Sequence, residues 1–511
     1  MLAKVHSCIV IGVEGLALEI EVDIASGLPM FATVGLPDGA VKESKDRVKA
    51  AIKNCGYDFP NKRITVNLAP ANVKKEGAGY DLPIALGILS AGGLIPAAVL
   101  KEYSIIGELS LDGKIRGVRG VLAMVLDARR HKMKGVILPA ANAMEGGVVQ
   151  SIDVIPVENL YDAVEFLLER KMLSPFTTDY SPALSSIYTN GEDFADVKGQ
   201  QHAKRALEIA ASGNHNVLLK GPPGAGKTML ARRLTTILPQ FTFDEAVETT
   251  KIHSIAGILP PDQPLLAQRP FRAPHHTISD AGLIGGGSYP KPGEVSLATH
   301  GVLFLDEVTE FKKRVLEMLR QPLEDRSVTI ARANMSLSFP SDFLLIAAYN
   351  PCPCGYYGDR SNRCNCTPVQ MQNYTARLSG PLLDRIDIHL EIAALPYDEM
   401  QKTSSLESSE DIRRRVDGAR QIQKNRFSVW HNASTSLTNS SMNPQMVEKY
   451  CSIDNDGKRL LEKSVERLGL SARAYHRILK IGRTIADLDG ADSIQRHHLA
   501  EAVQYRRIGT V

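Results

Sequence analysis

Residues 221–228 read Gly-Pro-Pro-Gly-Ala-Gly-Lys-Thr, and this stretch decides the fold of the chain. The apolar run 217–219 precedes it and a helical pattern follows it, as expected for a phosphate-binding loop between a strand and a helix. Its glycines allow successive backbone N–H groups to point at an anion at the helix N-terminus. Lys227 would reach the β- and γ-phosphates of ATP, and the Thr228 hydroxyl would ligate Mg²⁺. The predicted ATP-binding residues are Gly221, Pro222, Pro223, Gly224, Ala225, Gly226, Lys227 and Thr228.

A pair of acidic residues follows a second buried run. Residues 301–307 read Gly-Val-Leu-Phe-Leu-Asp-Glu, so a strand delivers Asp306 to the sheet edge beside the phosphate-binding loop. Asp306 can hold Mg²⁺ through water, and Glu307 can polarise the water that attacks the γ-phosphate. A third run, 343–349, ends at Asn350, whose amide can position that water. The three apolar runs predict an α/β core with a parallel sheet buried on both faces.

The segments around this core have different patterns. Residues 1–170 alternate strand and helix signals, whereas 171–192 are rich in Ser, Thr, Pro and Tyr and indicate a linker. Apolar residues after the core recur at helical spacing, interrupted by a polar stretch near 431–443. We predict an ATPase core over 193–398 and a helical lid over 399–511.

Local signals within residues 1–170 predict individual elements. Residues 18–24 alternate strictly with period two, and 64–68 form a second apolar strand. Asp38 can cap a helix over 39–54. Residues 82–100 carry no charge over a length that could span a membrane, but their Pro and Gly residues would break such a helix. We predict a buried helix followed by a Gly-Gly turn there.

Composition excludes several classes of protein. The chain of 511 residues is too long for one core, and 43% hydrophobic with 23% charged residues is ordinary for a folded soluble protein. The N-terminus lacks the features of a signal peptide, and we expect a cytoplasmic protein without a membrane span. The formal charge is only +3, but residues 401–511 carry 19 Lys and Arg against 13 Asp and Glu. That basic segment suits either polyanion binding or a solvated helical face.

The motifs make the chain similar to the ComM/YifB family of magnesium-chelatase-like AAA+ ATPases, relatives of the MCM helicases. The resemblance covers essentially the whole chain and implies that Asn350 is the sensor-one residue. In residues 380–387, Gly-Pro-Leu-Leu-Asp-Arg-Ile-Asp, it implies that Arg385 is an arginine finger given to a neighbouring subunit. In residues 470–474, Leu-Ser-Ala-Arg-Ala, it implies that Arg473 is the sensor-two residue. Each arginine could instead form a surface ion pair. An arginine acting in trans requires a closed ring, and the family implies a hexamer.

Residues 1–170 resemble the α+β proteolytic domain of the Lon family, without its chemistry. Residues 75–79, Lys-Glu-Gly-Ala-Gly, match the region of the Lon nucleophile and place Gly79 at the position of its serine. Residues 107–113 match the turn that leads to the Lon catalytic lysine, and Leu122 falls at that lysine. Because a Ser–Lys dyad needs both groups, we predict an inactive Lon-like domain that serves assembly or DNA contact.

Two segments of the core are candidates for contact with DNA. Residues 271–294 are Gly-rich and predict a mobile loop that carries Lys291. Residues 328–339 alternate apolar and polar positions around a turn at 332–334 and predict a β-hairpin. By resemblance to the MCM-like relatives, Lys291 and Arg332 would contact phosphates. The alternative is that both segments pack between subunits.

Four of the seven cysteines form two Cys-X-Cys pairs directly after Asn350. Four thiolates can hold a tetrahedral Zn²⁺, which would be structural because no coordination position stays open. The alternative is a compact loop with reduced thiols. The candidate zinc ligands are Cys352, Cys354, Cys364 and Cys366.

The family resemblance implies an ATP-hydrolysing motor that moves on single-stranded or branched DNA, as a helicase or branch-migration factor in recombination or natural transformation. Two alternatives act on proteins. A chelatase-type motor would drive a metal-insertion partner, and a protein-remodelling ATPase would bind polypeptide through the Lon-like domain. An aromatic–hydrophobic pore dipeptide would favour remodelling, and residues 271–294 contain no convincing one.

Overall fold

The computed structural model describes residues 1–185, 191–260, 262–287, 289–332, 335–358, 363–394, 407–430 and 437–506. The chain divides into two compact units. The first unit contains Met1–Ser185 and Ala246–Leu266, and the second contains Ser186–Glu245 and Ala267–Val511. The predicted core–lid boundary, the hairpin tip and parts of the predicted linker and polar stretch lie outside the described residues, so the predicted domain limits stay predictions.

The first unit is a mixed α/β structure. Its strands are β1 (Leu2–Ile11), β2 (Glu14–Ala25), β3 (Met30–Val34), β4 (Arg63–Ala69), β5 (Tyr103–Ile105), β6 (Glu108–Leu109), β7 (Ile115–Arg116), β8 (Gly135–Pro139) and β9 (Asp153–Val157). Its helices include α1 (Gly39–Asn54), α2 (Asp81–Ala91), α3 (Ala97–Leu100), α4 (Val121–Arg130), α5 (Ala143–Gly146), α6 (Leu160–Leu167) and α7 (Ser181–Ser185). The main sheet has the order β3-β4-β2-β1-β5-β8-β9, and β6 pairs with β7.

The local predictions for this unit are confirmed. Strand β2 contains the period-two segment, and its buried residues Ile20 and Val22 face the core. The Asp38 carboxylate accepts a hydrogen bond of 2.8 Å from the Val41 backbone N–H and so caps α1. Helix α2 is buried along its whole length and ends at Ala91, directly before the predicted Gly-Gly turn. Among the described residues, no helix combines the length and the apolar character needed to cross a membrane.

The second unit is a parallel α/β core with a helical segment. Its strands are β10 (Val217–Lys220), β11 (Phe271–Arg272), β12 (Gly285–Gly286), β13 (Lys291–Pro292), β14 (Val302–Leu305), β15 (Ser327–Arg332), β16 (Met335–Pro340), β17 (Leu344–Tyr349) and β18 (Ile388–Glu391). The main sheet has the order β11-β14-β17-β10-β18, and all of its strands are parallel. The predicted hairpin is confirmed as β15 and β16, in which Val328 lies opposite Phe339.

Helices surround this sheet and form the C-terminal segment. They include α8 (Gln201–Gly213), α9 (Lys227–Ile237), the first three residues of α10 (Phe243–Ala256), α11 (Asp280–Ile284), α12 (Glu294–Leu297), α13 (Lys313–Met318), α14 (Arg320–Asp325), α15 (Pro368–Thr375), α16 (Gly380–Leu383), α17 (Ser409–Phe427), α18 (Pro444–Tyr450), α19 (Asn455–Leu468), α20 (Ala472–Leu488) and α21 (Arg496–Gln504). The Gly-rich segment 271–294, predicted as a mobile loop, instead contains β11, α11 and the β12–β13 ribbon. The Ser279 side chain caps α11, which gives this segment local order.

Most of α10 and the residues after it belong to the first unit, which the sequence analysis did not foresee. The Ser254 hydroxyl donates a hydrogen bond of 2.5 Å to the Glu145 carboxylate and accepts one of 2.9 Å from the Gly120 backbone N–H. Burial raises the pKa of Glu145, and the hydrogen bond from Ser254 offsets part of this increase. Lys251 forms an ion pair of 2.6 Å with Glu14. Residues 246–266 are therefore held in the first unit by specific polar contacts.

A buried ionic cluster joins the sheet of the second unit to α20. The Asp387 side chain, just before β18, is only 4% exposed and pairs with Arg477 of α20. It also accepts a hydrogen bond of 3.1 Å from the Asn216 backbone N–H and lies 3.4 Å from His215 Nδ1. Burial alone would raise the pKa of Asp387, but Arg477 and His215 outweigh burial and hold the pKa well below its usual range.

Candidate nucleotide-binding site

The predicted phosphate-binding loop connects β10 to α9 at the carboxyl edge of the parallel sheet. Gly226 precedes α9 with a φ of 88°, a backbone conformation that favours glycine. A Cβ on Gly221 would lie 2.4 Å from the Ile392 carbonyl oxygen, so only glycine fits where the loop leaves the strand. The Gly221 N–H donates to the Tyr349 carbonyl at 3.2 Å, which ties the loop to the end of β17. The predicted strand–loop–helix context is confirmed.

Lys227 lies inside the loop and is only 8% exposed. Its Nζ donates to the carbonyls of Gly221 and Pro222 at 2.7 and 3.0 Å and to Asn350 Oδ1 at 3.0 Å. Burial lowers the pKa of Lys227, opposed by the charges of Asp306 and Glu307. A polyphosphate bound in the loop would give the Lys227 ammonium group an anionic acceptor in place of these neutral carbonyls. The structure thus brings Asn350 and Lys227 together as the sequence predicts.

The predicted magnesium residues also meet. The Thr228 hydroxyl donates a hydrogen bond of 2.8 Å to Asp306 Oδ2, and the Glu307 backbone N–H donates to Asp306 Oδ1 at 2.9 Å. A hydroxyl and a carboxylate are hard oxygen ligands of the kind that Mg²⁺ takes beside substrate phosphates. Glu307 has a φ of 49°, in the left-handed region, and its side chain is 56% exposed. The Glu307 carboxylate is therefore accessible to a water molecule.

His276 is a site residue that the sequence analysis did not identify. Its Nδ1 lies 3.9 Å from Glu307 Oε2. The His276 ring packs between His275, at a centroid distance of 4.1 Å, and Phe311, at 6.4 Å. The sequence pattern of β11, which brings this segment beside β14, was weak because the strand contains only two residues.

The two predicted catalytic arginines share one carboxylate. Glu324 Oε1 lies 2.7 Å from Arg385 Nη2 and 3.7 Å from Arg473 Nη2. The Arg385 side chain is only 5% exposed, and its Nη1 also donates to the Pro381 carbonyl at 2.7 Å. Arg473 is 59% exposed. Across the described part of the chain, neither arginine contacts the phosphate-binding loop of its own subunit, and Glu324 is a partner that spacing could not reveal.

The four predicted zinc ligands form one cluster. Their sulfur atoms all lie within 4.8 Å of one another. The Cys352–Cys354, Cys352–Cys364 and Cys354–Cys364 sulfur separations are 3.3, 3.7 and 3.6 Å. A tetrahedral zinc with Zn–S bonds of about 2.3 Å requires S···S separations of about 3.8 Å. Hydrogen bonds from the Tyr356 backbone and the neighbouring thiols lower the pKa of Cys354 to about 6, whereas burial and the neighbouring thiols raise the pKa of Cys364 and Cys366. Cys366 completes the set.

A second cluster of potential metal ligands contains two histidines, but the Nε2 atom of one of them carries a proton. Asp489, His497 and His498 place three candidate ligand atoms within 4.8 Å of one another. His498 Nδ1 accepts a hydrogen bond of 2.9 Å from the Gln495 backbone N–H. The neutral ring must then carry its proton on Nε2, the atom that faces Asp489 at 3.3 Å. His498 instead completes the capping box with Gln495 at the start of α21.

The two predicted DNA contacts lie on adjoining elements. The Arg332 Nε at the end of β15 donates to the Gly287 carbonyl at 3.2 Å. Gly286 of the same turn pairs with Lys291 in the β12–β13 ribbon. Both cationic side chains are exposed. The hairpin and the ribbon thus adjoin each other, and each carries one of the two exposed cations.

The predicted positions of the missing peptidase dyad lie in the first unit. A Cβ on Gly79 would have only the Val118 side chain nearby, at 3.5 Å. Leu122 is fully buried in α4. Neither position offers a nucleophile or a base, and the inactivity of this domain stays a prediction.

Comparisons with known proteins agree with this architecture. Residues 193–400 match the family described as magnesium chelatase, subunit ChlI, and residues 20–142 match subunit ChlI of Mg-chelatase. Residues 406–506 match magnesium chelatase, subunit ChlI C-terminal. A stretch of 112 residues, 22% of this chain and 17% of the relative, is 29% identical to the archaeal Lon protease of Methanocaldococcus jannaschii.

Two relatives match along the full length. The chain is 46% identical to the competence protein ComM of Haemophilus influenzae, over 99% of this chain and 97% of the relative. It is 42% identical to the YifB protein of Escherichia coli, again over 99% and 97%. The nucleotide site described above is intact. The chain therefore belongs to the ComM/YifB family of magnesium-chelatase-like AAA+ ATPases.

Proposed function

We propose that this ATPase is a ring-shaped motor that couples ATP hydrolysis to movement along DNA, as a helicase or branch-migration factor. The observation that carries the DNA part is that Arg332 and Lys291 are exposed cations on adjoining elements. The Arg332 side chain is held by the turn of the ribbon that carries Lys291. Two exposed cations on adjoining hairpins can follow successive phosphates, and such contacts are independent of base sequence.

Hydrolysis is assigned to the residues gathered at the sheet edge. The loop amides and Lys227 would bind the ATP phosphates, and Thr228 with Asp306 would hold Mg²⁺, which would neutralise phosphate charge. Glu307 accepts a proton from the attacking water, and Asn350 orients that water. Asn350 already lies 3.0 Å from Lys227 Nζ, which supports its place beside the terminal phosphate.

Arg385 would stabilise the transition state in a neighbouring subunit of a homo-oligomeric, hexameric ring. Its lack of contact with its own loop supports action in trans, and it must exchange Glu324 for phosphate to act. Arg473 also contacts the Glu324 carboxylate, so the two arginines lie close to each other. A test is to mix Arg385→Ala with Lys227→Ala subunits. Each variant alone should be inactive, and mixing should restore part of the ATPase only if Arg385 acts across an interface.

The cysteine cluster is assigned to a structural Zn²⁺. The sulfur separations already approximate a tetrahedral site, and four thiolates leave no position for substrate. The family relative named as a competence protein supports a role with incoming or recombining DNA. The proposed cellular setting is cytoplasmic.

The decisive experiment is the steady-state ATPase rate with single-stranded, duplex and four-way-junction DNA at rising salt, with Glu307→Gln as the blank. We expect stimulation by DNA that fades as salt displaces phosphate contacts. Arg332→Ala combined with Lys291→Ala should weaken the stimulation, whereas Lys53→Ala with Arg129→Ala, two exposed cations of the first unit, should not. Hydrolysis that is indifferent to every DNA would instead favour a protein-directed motor.

A further inference from the structure

The turn that carries the first two cysteines packs directly on the phosphate-binding loop. Cys352 follows Asn350 by two residues and is fully buried. The Gly355 N–H donates to the Cys352 carbonyl at 2.9 Å and closes the turn. A Cβ placed on Gly355 would lie 2.7 Å from both Cγ and Cδ of Pro223. The backbone of the cysteine turn therefore touches the loop that would hold the ATP phosphates.

The same turn also packs near Asn350, which contacts Lys227. Asn350 Oδ1 accepts a hydrogen bond from Lys227 Nζ at 3.0 Å. The same Gly355 Cβ position lies 3.9 Å from the Asn350 Cβ, so the turn also packs near this residue. A displacement of Cys352 or Gly355 would thus reach the nucleotide site through both Pro223 and Asn350.

The other two cysteines anchor the cluster to a separate element. Cys366 immediately precedes Thr367, whose side chain caps α15. The Thr367 backbone N–H in turn donates to Gln370 Oε1 at 2.9 Å, so both halves of a capping box are present. A metal bound to the four sulfurs would join the start of α15 to the turn against Pro223. Without it, the described contacts between the two parts are weak thiol contacts and the Arg363 guanidinium over the Tyr356 ring, at 4.3 Å.

We propose that the four-cysteine site controls nucleotide binding: a thiophilic divalent cation of the zinc class holds Gly355 against Pro223 and keeps Asn350 at Lys227. Metal loading then sets the affinity of the loop for ATP, in addition to stabilising the protein. This inference rests on the proposed zinc site and on ATP binding at Gly221–Thr228, and it adds that the two sites are energetically coupled.

The experiment uses the full chain and measures metal content and nucleotide affinity separately. A zinc-selective chelator removes the metal in the presence of excess Mg²⁺, a colorimetric dye counts the zinc released, and a fluorescent ATP analogue reports binding. We expect one zinc per chain and an affinity loss of about tenfold or more on removal, because displacements of about 1 Å at such sites have large effects. Added Zn²⁺ should restore binding, and further Mg²⁺ should not.

Variants distinguish the effect of metal binding from the effect of the contact between Gly355 and Pro223. Cys366→Ser should lose both zinc and nucleotide affinity, whereas Cys55→Ser, a thiol outside the cluster, should keep both. Gly355→Ala retains all four sulfurs and should keep zinc, but its Cβ would meet Pro223 and weaken nucleotide binding. Circular dichroism checks that each variant is folded.

The outcomes distinguish the inference from the function on which it rests. Equal nucleotide affinity, within twofold, in zinc-loaded and zinc-free protein overturns the coupling. A protein that neither contains nor takes up zinc overturns the metal site itself. Zinc-loaded protein that fails to bind the ATP analogue contradicts the proposed nucleotide site instead.

Discussion

Asp387→Asn should loosen α20 from the sheet of the second unit. The substitution keeps the shape of the side chain but removes the charge that faces Arg477, and it turns an amide N–H₂ toward groups that are themselves donors. Breaking one partner of a buried pair costs about 3–5 kcal/mol. Because Arg477 remains 21% exposed and can regain water, we take the lower end, about 3 kcal/mol. Loss of this amount corresponds to about a hundredfold larger population of the state in which α20 is open.

The assay is hydrogen–deuterium exchange of α20 amides, read by mass spectrometry in the full chain. Asp456→Asn serves as the control, because Asp456 is an exposed acid of α19 whose contact with Arg459 is 3.8 Å long. It should leave α20 unchanged, since exposed ion pairs contribute about 0–1 kcal/mol. Equal protection of α20 in the Asp387 variant and in the wild type would refute the reasoning.

The contribution of the Asp387–Arg477 pair to stability depends on pH. The folded-state pKa of Asp387 is lowered, so its contribution to stability is present above the ordinary aspartate pKa of about 4. It is lost as pH falls through the lower folded-state pKa, because the unfolded chain then binds the proton more readily. The stability advantage of wild type over Asp387→Asn, measured by urea unfolding, should be present at pH 7 and shrink as the pH falls below about 4.

Three further predictions concern the candidate site. Thr228→Ala removes the hydroxyl 2.8 Å from Asp306 and should raise the Mg²⁺ concentration for half-maximal ATPase about tenfold, measured by Mg²⁺ titration. His276→Ala should lower kcat about fivefold, the equivalent of one contact of about 1 kcal/mol, with KM for ATP unchanged and partial rescue by His276→Gln; an unchanged kcat would remove His276 from the positioning of Glu307. Arg332→Ala should reduce the slope of log affinity for DNA against log salt by about 0.7–0.9, and an unaltered slope would argue against a phosphate contact.

Much of the fold followed from signals that are local in sequence. The phosphate-binding loop, the Asp38 cap and the β15–β16 hairpin each depend on residue types within a few positions of one another. The four cysteines are close enough in sequence that their convergence could also be expected. Asp306 and Asn350 are far from Lys227 in sequence, but buried parallel strands place their carboxyl ends at a common edge.

The features that escaped prediction depend on contacts between distant segments. Ser254 belongs to a helix in the middle of the chain, yet its partner Glu145 lies more than a hundred residues earlier. Glu324 holds Arg385 and Arg473 through packing that no spacing indicates. The order within 271–294 arises from a capped short helix and a two-residue ribbon, elements too short to produce a periodic pattern.

The central claim, that ATP hydrolysis drives movement on DNA, is tested most directly by displacement of a fluorescently labelled strand from a forked duplex and from a four-way junction. We predict ATP-dependent displacement by the wild type at low salt. Glu307→Gln should bind both ATP and DNA and displace no strand. A wild-type protein that hydrolyses ATP while leaving every DNA substrate intact, at all salt concentrations, would contradict the account.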